Sequence, residues 1–278
     1  MVSIHPTPCW HVKYDPSHIK WVHAQDLAST PVLRMRGILL RFYNLEGHIV
    51  RSLKAIRAST PKSEVFRGQF QHAIIAVLLT AGTCSLLRDN GGSFLGLSTM
   101  QWAYASIALG IIHQSIVAVV FRLQLHFDIM VRLFGGNALK VWGAIFLPFL
   151  VARPLLLIVV GIADYGSLGG DRNVQLIIGA LLVPLVAWTM HSVMKYFSIN
   201  RALGGDHFYD EYLNMPLVKQ GAFKYSGNAM YTFVFTGFWG IGFLLGSWNA
   251  IVLALFYHAY IWVHMYCTED PDMRILYR

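Results

Sequence analysis

Six apolar runs separated by polar loops restrict what this chain can fold into. They cover about residues 70–87, 97–121, 139–162, 175–197, 230–245 and 248–266. A helix needs about 20 apolar residues to cross a bilayer, and only 13% of this chain is charged, against about a quarter in soluble domains. The sequence therefore predicts an all-α polytopic membrane protein with about six transmembrane helices. The short fifth run joins the sixth at Gly246–Ser247, which predicts a C-terminal helical hairpin.

The lysines and arginines predict how these helices are oriented. Most of the 22 precede the first run or lie after the second, fourth and sixth runs, and Arg122 is counted in the loop after the second. The other loops hold one or none. Because cytoplasmic loops are enriched in Lys and Arg, both termini and the second and fourth loops are predicted to be cytosolic. Either the endoplasmic reticulum or the bacterial inner membrane satisfies this topology.

Residues 1–67 form a polar, basic region ahead of a membrane domain at 68–278. Within it, residues 31–58 carry apolar side chains at helical spacing with arginines between them. Such a helix either lies on an anionic membrane surface or packs against the cytoplasmic loops of the membrane domain. The net charge of +8 is accordingly attributed to lipid contact and topology, with no nucleic-acid partner expected.

Several kinds of site are excluded by their missing motifs. The chain has no phosphate-binding glycine loop, no nucleophile elbow, and no cysteine or histidine spacing typical of a metal site. Arg153, next to Pro154 within the third run, is an intramembrane charge. Two roles are open for it: contact with a lipid headgroup or substrate phosphate, or a structural pairing with a backbone carbonyl that Pro154 leaves free.

Three polar segments are predicted to meet at the cytosolic face, at residues 201–211, 217–231 and 267–278. Together they offer carboxylates, aromatic rings, glycines that allow close approach to the main chain, and the amides of Gln220 and Asn228. This combination suits a cationic cofactor with adenine, ribose and an amino-acid tail. Taken singly, each glycine is explained equally well by a turn, and each carboxylate by a solvated loop or a helix N-terminus.

The same segments resemble two families of integral-membrane methyltransferases, the phospholipid N-methyltransferases and the isoprenylcysteine carboxyl methyltransferases. Residues 217–231 are similar to their S-G-P-[YF]-x-[YV]-x-R-H-P-x-Y region at Gly221, Phe223, Tyr225, Met230 and Tyr231. Residues 205–208 resemble a G-D-Y-F stretch, and residues 269–271 resemble E-E-P. The resemblance covers about residues 196–278. Gly227, Asn228 and Ala229 stand where the family often has Arg-His-Pro, so Lys219, Lys224 or Arg274 is expected to replace the arginine.

The resemblance implies S-adenosylmethionine as the methyl donor, bound at the cytosolic interface. The implied cofactor contacts are Gly204, Gly205, Asp206, Gln220, Gly221, Asn228, Met230, Tyr231, Glu269 and Asp270. Glu211 or His207 is the candidate base, and Tyr231 is expected to face the positive charge. The acceptor it implies is a phospholipid amine, phosphatidylethanolamine or its methylated forms. Two alternatives stay open: a prenylcysteine carboxylate or small thiol as acceptor, and a non-enzymatic membrane scaffold with an eroded cofactor site.

Overall fold

The computed structural model of the protein describes residues 50–278. The helices of this part are α1 (Leu53–Ser59), α2 (Gln69–Leu86), α3 (Thr99–Phe127), α4 (Ile129–Phe134), α5 (Ala138–Ala163), α6 (Arg172–Ser192), α7 (Ile199–Ala202), α8 (Asp210–Leu213), α9 (Thr236–Leu245), α10 (Trp248–His264) and α11 (Asp270–Leu276). Two-residue strands β1 (Ser93–Phe94) and β2 (Leu97–Ser98) pair antiparallel ahead of α3. Three π-helical turns occupy Val193–Phe197, Met230–Val234 and Met265–Glu269.

The helices confirm the predicted all-α polytopic membrane fold. Five helical segments of residues 50–278 are long and apolar enough to cross a membrane, and Met230–Leu245 is a sixth, shorter apolar helix. The second span differs from its prediction, because α3 continues to Phe127 and includes Arg122. That arginine is 3% exposed and is neutralised within the protein, so it does not end the helix.

Helix α5 runs without a break through Pro148 and Pro154. Each proline removes one main-chain donor. In transmembrane helices such losses are tolerated where neighbouring helices satisfy the freed groups. The apolar run that Arg153 interrupts in the sequence is therefore a single helix in the structure, with Arg153 buried at its centre.

Helix α10 forms the centre of the bundle, and its neighbours approach it closely. Its buried residues include Leu253, Phe256 and Tyr257. A Cβ on Gly110 of α3 would lie 2.8 Å from the Tyr257 ring, and one on Gly242 of α9 would lie 2.7 Å from Ile251. Small residues at helix contacts are the usual basis of packing in membranes, where apolar burial drives little association.

The connecting segments gather at two ends of the bundle, in the two groups that the charges predict. At one end, Asp164 accepts hydrogen bonds from Asn90 (2.7 Å), the Ser247 hydroxyl (2.8 Å) and the Asn249 amide (2.9 Å). The other end joins the segment before α2, the α3–α5 connection, the long α6–α9 loop and the tail. The assignment of this second end to the cytosol remains a prediction.

Most of the predicted amphipathic segment at residues 31–58 lies outside the described residues. Its final part, α1, is helical, and Leu53 packs against Leu125, Leu213 and Ile275. For α1 the structure therefore favours packing against the protein over contact with a membrane surface. The division of the chain at residue 67 stays a prediction.

Candidate active site

The hairpin of α9 and α10 brings Tyr231 and Glu269 together, although 38 residues separate them in the chain. Tyr231 lies in the π-helical turn before α9, and Glu269 ends the π-helical turn after α10. Because the two helices are antiparallel neighbours, these turns lie side by side. The Tyr231 hydroxyl donates a hydrogen bond to Glu269 Oε1, and His264 Nε2 lies 3.5 Å from the same oxygen.

Aromatic and imidazole rings surround this pair. The Trp262 ring meets Tyr231 edge to face at 6.3 Å and stacks on the exposed ring of Tyr266 at 6.1 Å. On the buried side, His72 of α2 lies 5.8 Å from His264, ring centre to ring centre. Among residues 50–278, neither ring nitrogen of His264 has a hydrogen-bond partner. Aromatic rings therefore lie on one side of the Tyr231–Glu269 pair. On the other side lie the ring nitrogens of His264, which have no hydrogen-bond partner among the described residues.

A row of alternating charges lies next to the pair and holds the tail in place. Arg122 Nη1 is 2.7 Å from Asp272, and the second oxygen of Asp272 is 3.4 Å from His207 Nε2. The other ring nitrogen of His207 is 3.0 Å from Asp206, which also accepts a hydrogen bond from the Tyr277 hydroxyl at 3.0 Å. Arg122, Asp272 and His207 are almost completely buried. The row therefore joins α3, the α6–α9 loop and the tail.

The charges in this row shift the pKa of its loop members. Burial alone would lower the pKa of His207, but its hydrogen bonds to Asp206 and Asp272 and their charges raise that pKa to about 10. Burial alone would raise the pKa of Asp206, and the hydrogen bonds from His207 and Tyr277 lower it overall. His207 therefore holds its proton at neutral pH, between the side chains of Asp206 and Asp272.

Arg122 also fixes the main chain just before Glu269. Its Nη2 donates hydrogen bonds to the carbonyls of Cys267 (3.2 Å) and Thr268 (3.1 Å), and to that of Arg67 (2.9 Å). Gln69 adds hydrogen bonds to the Cys267 carbonyl and the Thr268 hydroxyl, each at 3.3 Å. Two carbonyls of the π-helical turn are thus bound by side chains of α2 and α3 just before Glu269, which orients Glu269.

The predicted glycines lie where the backbone packs against side chains. Gly204 has φ +79°, and a Cβ there would lie 2.5 Å from the Phe121 ring. A Cβ on Gly205 would lie 2.8 Å from the Tyr212 ring. Gly221 has φ +58°, and its Cβ would lie 2.5 Å from the Ser192 hydroxyl. Packing alone explains all three, and their role as cofactor contacts stays a prediction.

The other predicted residues divide between the pair and the exposed loop. Met230 precedes Tyr231 and packs near the buried Ala229. Asn228 caps the same turn through its carbonyl, which accepts from the Thr232 amide at 2.9 Å. Asp270 pairs with Arg274 at 2.8 Å. Solvent-exposed members of the set are Gln220 and the possible replacement cations Lys219 and Lys224.

Glu211 is not brought to the cluster. It is exposed and lines a surface depression with Gly136 and Tyr209. Within residues 50–278, no hydrogen bond or ion pair joins it to Tyr231, Glu269 or His207. A base at Glu211 therefore has no support from the geometry. His207 is at the cluster, but its proton is already held by two carboxylates.

Sequence reasoning missed the role of Arg122 and that of His72. The apolar pattern predicts a loop at Arg122, because a charge usually ends an apolar run. Its signal is the apolar pattern that continues after it, at Leu123, Leu125 and Phe127. That pattern predicts a helix longer than the apolar core of a bilayer, with the arginine at its cytosolic end. His72 carries no signal in the sequence beyond its place in an apolar run.

The part of the chain that forms this site is similar to known proteins. Residues 174–278 match the phospholipid methyltransferase family. This stretch contains the α9–α10 hairpin, the α6–α9 loop and the tail, and hence both Tyr231 and Glu269. No solved structure matches the chain.

Curated relatives include three phosphatidylethanolamine N-methyltransferases. That of Clavispora lusitaniae is 25% identical over 122 residues, which are 41% of this chain and 14% of that protein. That of Malassezia globosa is 27% identical over 137 residues, 49% of this chain and 14% of the relative. The Meyerozyma guilliermondii protein is 26% identical over 106 residues, which are 37% of this chain and 12% of that protein. These matches confirm the predicted resemblance to phospholipid methyltransferases for the matched part of the chain. The matched residues span only about a seventh of each relative.

Proposed function

We propose that this protein transfers a methyl group from S-adenosylmethionine to the amine of a phospholipid, phosphatidylethanolamine or its methylated forms. The observation that carries the proposal is the Tyr231–Glu269 pair, formed by two turns within the stretch that matches phospholipid methyltransferases. The names of the curated relatives support the same acceptor. In the predicted topology the pair lies at the cytosolic end of the bundle, where a soluble donor and a membrane lipid both have access.

The side chains around the pair fit the proposed donor. The Glu269 carboxylate is an acceptor for the ammonium group or the ribose hydroxyls of S-adenosylmethionine. The rings of Tyr231 and Trp262 provide aromatic faces that attract a cation, and His264 offers ring nitrogens without a hydrogen-bond partner among the described residues. When bound, S-adenosylmethionine supplies an already activated methyl group on a sulfonium centre.

The chain itself contributes position and proton transfer. Arg122 and Gln69 fix the main chain before Glu269, so the carboxylate is held without relying on the exposed loop. An amine acceptor must lose a proton before it attacks. His264, 3.5 Å from Glu269, is placed to take that proton, whereas His207 already carries one. Holding two reactants in a fixed arrangement is itself a large part of such catalysis.

Two further parts of the proposal concern the membrane. The termini, the second loop and the fourth loop face the cytosol, and the basic residues upstream of Arg51, which lie outside the described part, contact anionic lipid. The acceptor reaches Tyr231 from within the bilayer, between helices.

The test is methyl transfer from radiolabelled S-adenosylmethionine into a total lipid extract, together with thermal stabilisation by S-adenosylhomocysteine. We expect label in a phospholipid with the wild type, and loss of label and stabilisation with Glu269→Ala and Tyr231→Ala. Tyr165→Ala, an exposed tyrosine at the opposite end, is the control and should behave as the wild type.

Each other outcome points to a different function. Stabilisation without lipid labelling would favour a prenylcysteine or small-thiol acceptor. No stabilisation by S-adenosylhomocysteine would favour the membrane scaffold. Full activity of both site variants would show that Tyr231 and Glu269 are not the site.

A further inference from the structure

Arg153 is a buried cation in the centre of the bundle. Its side chain is 1% exposed, and its Nε and Nη2 atoms have no hydrogen-bond partner among residues 50–278. No ion pair joins it to a carboxylate in that part of the chain. A buried charge normally has a counter-charge and a full set of hydrogen bonds. Arg153 has the Tyr257 side chain as a hydrogen-bond partner, but in the described part of the chain it has no carboxylate, and two of its nitrogens have no acceptor.

The surroundings of Arg153 supply further hydrogen-bond donors. Its guanidinium lies over the ring of Tyr257 at 4.4 Å and near those of Phe235 and Phe238. One turn before it, Phe149 stacks on His113 of α3 at 5.6 Å. Both ring nitrogens of His113 are also buried without a partner among the described residues.

This environment favours an anion. Aromatic rings offset part of the cost of burying a guanidinium, but they do not accept the hydrogen bonds of Nε and Nη2. Guanidinium groups bind carboxylates and phosphates through paired hydrogen bonds. An anionic group with several acceptor oxygens would satisfy Arg153 and the N–H of His113 together.

We infer that Arg153 binds the phosphate diester of the lipid acceptor, a role that rests on the proposed function. Tyr257 precedes His264 by seven residues, about 10 Å at the helical rise, and Phe235 follows Tyr231 by one turn. The phosphate and nitrogen of an ethanolamine headgroup are four bonds, or about 5 Å, apart. A phosphate at Arg153 therefore directs the amine toward Tyr231 and Glu269. The transferred methyl group and the length of the arginine side chain span the rest of the distance between the two sites.

The first test measures lipid binding, so it does not depend on methyl transfer. Thermal unfolding of the full chain in detergent is followed with dioleoylphosphatidylethanolamine, with dioleoylglycerol, which lacks the phosphate and amine, and with inorganic phosphate. We expect the phospholipid to raise the unfolding temperature of the wild type about 2–4 °C more than the diacylglycerol does. Arg153→Gln should lose that difference, and Arg153→Lys should keep part of it.

The second test is kinetic. Arg153→Gln should raise the KM for phosphatidylethanolamine roughly 10- to 100-fold, the usual size of a lost charged hydrogen bond, with the KM for S-adenosylmethionine unchanged. Arg172→Gln is the matched control: that arginine binds the Phe243 and Leu244 carbonyls at the far end, so its loss should lower stability without a lipid-specific effect. If Arg153→Gln does not fold, His113→Phe takes its place in both tests.

Three results would overturn the inference. The first is equal stabilisation of the wild type by phosphatidylethanolamine and diacylglycerol. The second is an Arg153→Gln protein that keeps the phospholipid-specific shift. The third is equal stabilisation by inorganic phosphate, which would indicate a site for a small free anion. A wild type that binds phosphatidylethanolamine through Arg153 but transfers no methyl group would retain this site while removing the proposed activity.

Discussion

Asp270 and Asp272 lie two positions apart, yet their environments are opposite. Asp272 is fully buried between Arg122 and His207. Asp270 pairs with Arg274, whose side chain is 68% exposed. Removing one partner of a buried pair leaves an uncompensated charge, whereas an exposed pair of this kind contributes at most about 1 kcal/mol. The buried carboxylate of Asp272 therefore contributes more to holding the tail in place than that of Asp270.

Asp272→Asn should lower the free energy of unfolding by about 3–5 kcal/mol, because Arg122 loses its only carboxylate within residues 50–278. Asp270→Asn, the matched control, should change it by less than about 1 kcal/mol. Reversible unfolding in mixed detergent micelles measures both. Equal effects of the two substitutions would contradict the assignment of Asp272 as the tail's anchor.

The pKa of His207 predicts how stability depends on pH. In the folded protein this pKa is raised from 6.5 to about 10. Protonation of His207 therefore contributes stability that is fully present below about pH 6.5 and is lost as the pH rises through 10. The difference in unfolding free energy between the wild type and His207→Gln should shrink across this window. A difference that stays constant from pH 6.5 to 10 would show that His207 is neutral when folded.

At the level of elements, the three π-helical turns lie at the same end of the bundle. They follow α6, precede α9 and follow α10, and two of them carry Tyr231 and Glu269. Such turns often mark functional sites because the wider spacing redirects side chains and frees backbone carbonyls. Here Arg122 binds the carbonyls of Cys267 and Thr268, and Gln69 also binds that of Cys267, which ties the geometry of Glu269 to α2 and α3.

Substitution of Gly221 tests whether a glycine that is predicted to contact the cofactor has a structural role instead. Its positive φ and the 2.5 Å approach to the Ser192 hydroxyl mean that Gly221→Ala should cost roughly 1–2 kcal/mol of stability from the backbone alone. Gly82→Ala, with open space around it in α2, should be neutral or stabilising. The free energies of unfolding of the two variants show whether Gly221 has this structural role. If Gly221→Ala keeps full stability but loses binding of S-adenosylhomocysteine, a cofactor contact is the better explanation.

Asp164 fixes the far end of the hairpin. It is 3% exposed and accepts hydrogen bonds from four groups, on Asn90, Ser167, Ser247 and Asn249. Asp164→Ala leaves those donors unpaired, so we expect a loss of about 2–4 kcal/mol of stability. At a temperature where the variant is folded, the KM for S-adenosylmethionine should match the wild type. A rise in the KM for S-adenosylmethionine in this variant would show that Asp164, at the far end of the hairpin, contributes to binding of the methyl donor.

For the whole molecule, the predicted topology is open to chemical labelling. Ser93→Cys and Lys219→Cys, both at exposed positions, are made in a chain whose Cys9, Cys84 and Cys267 are replaced by serine. In sealed vesicles with the cytosolic face inside, a membrane-impermeant maleimide should label residue 93 and spare residue 219. Labelling of both from outside, or of residue 219 alone, would reverse the orientation inferred from the charges.

Hydropathy and charge predict most of this fold, because the bilayer accepts only helices of limited length. All six apolar runs are helical, and four keep close to their predicted bounds. The second continues to Phe127 and the sixth continues as helix to Leu276, beyond their predicted ends at about 121 and 266. The site was predictable only in part. Tyr231 and Glu269 were named from family motifs, but their pairing depends on how α9 meets α10. The role of Arg122 was hidden, because its partner Asp272 lies 150 residues later, and one sequence does not reveal such a pair.

That separation has a consequence for how the protein is made. Arg122 leaves the ribosome 150 residues before Asp272, and at roughly 5–20 residues per second it spends about 8–30 s without its carboxylate. During that time α3 carries a charge without its carboxylate at the end of the bundle that holds Tyr231 and Glu269. Until the tail arrives, the partners available from the chain already made are the carbonyls of Glu64 and Arg67, which do not supply the missing negative charge. Slow elongation or stalling between residues 122 and 272 would therefore prolong the stage at which the nascent chain is most open to quality-control degradation.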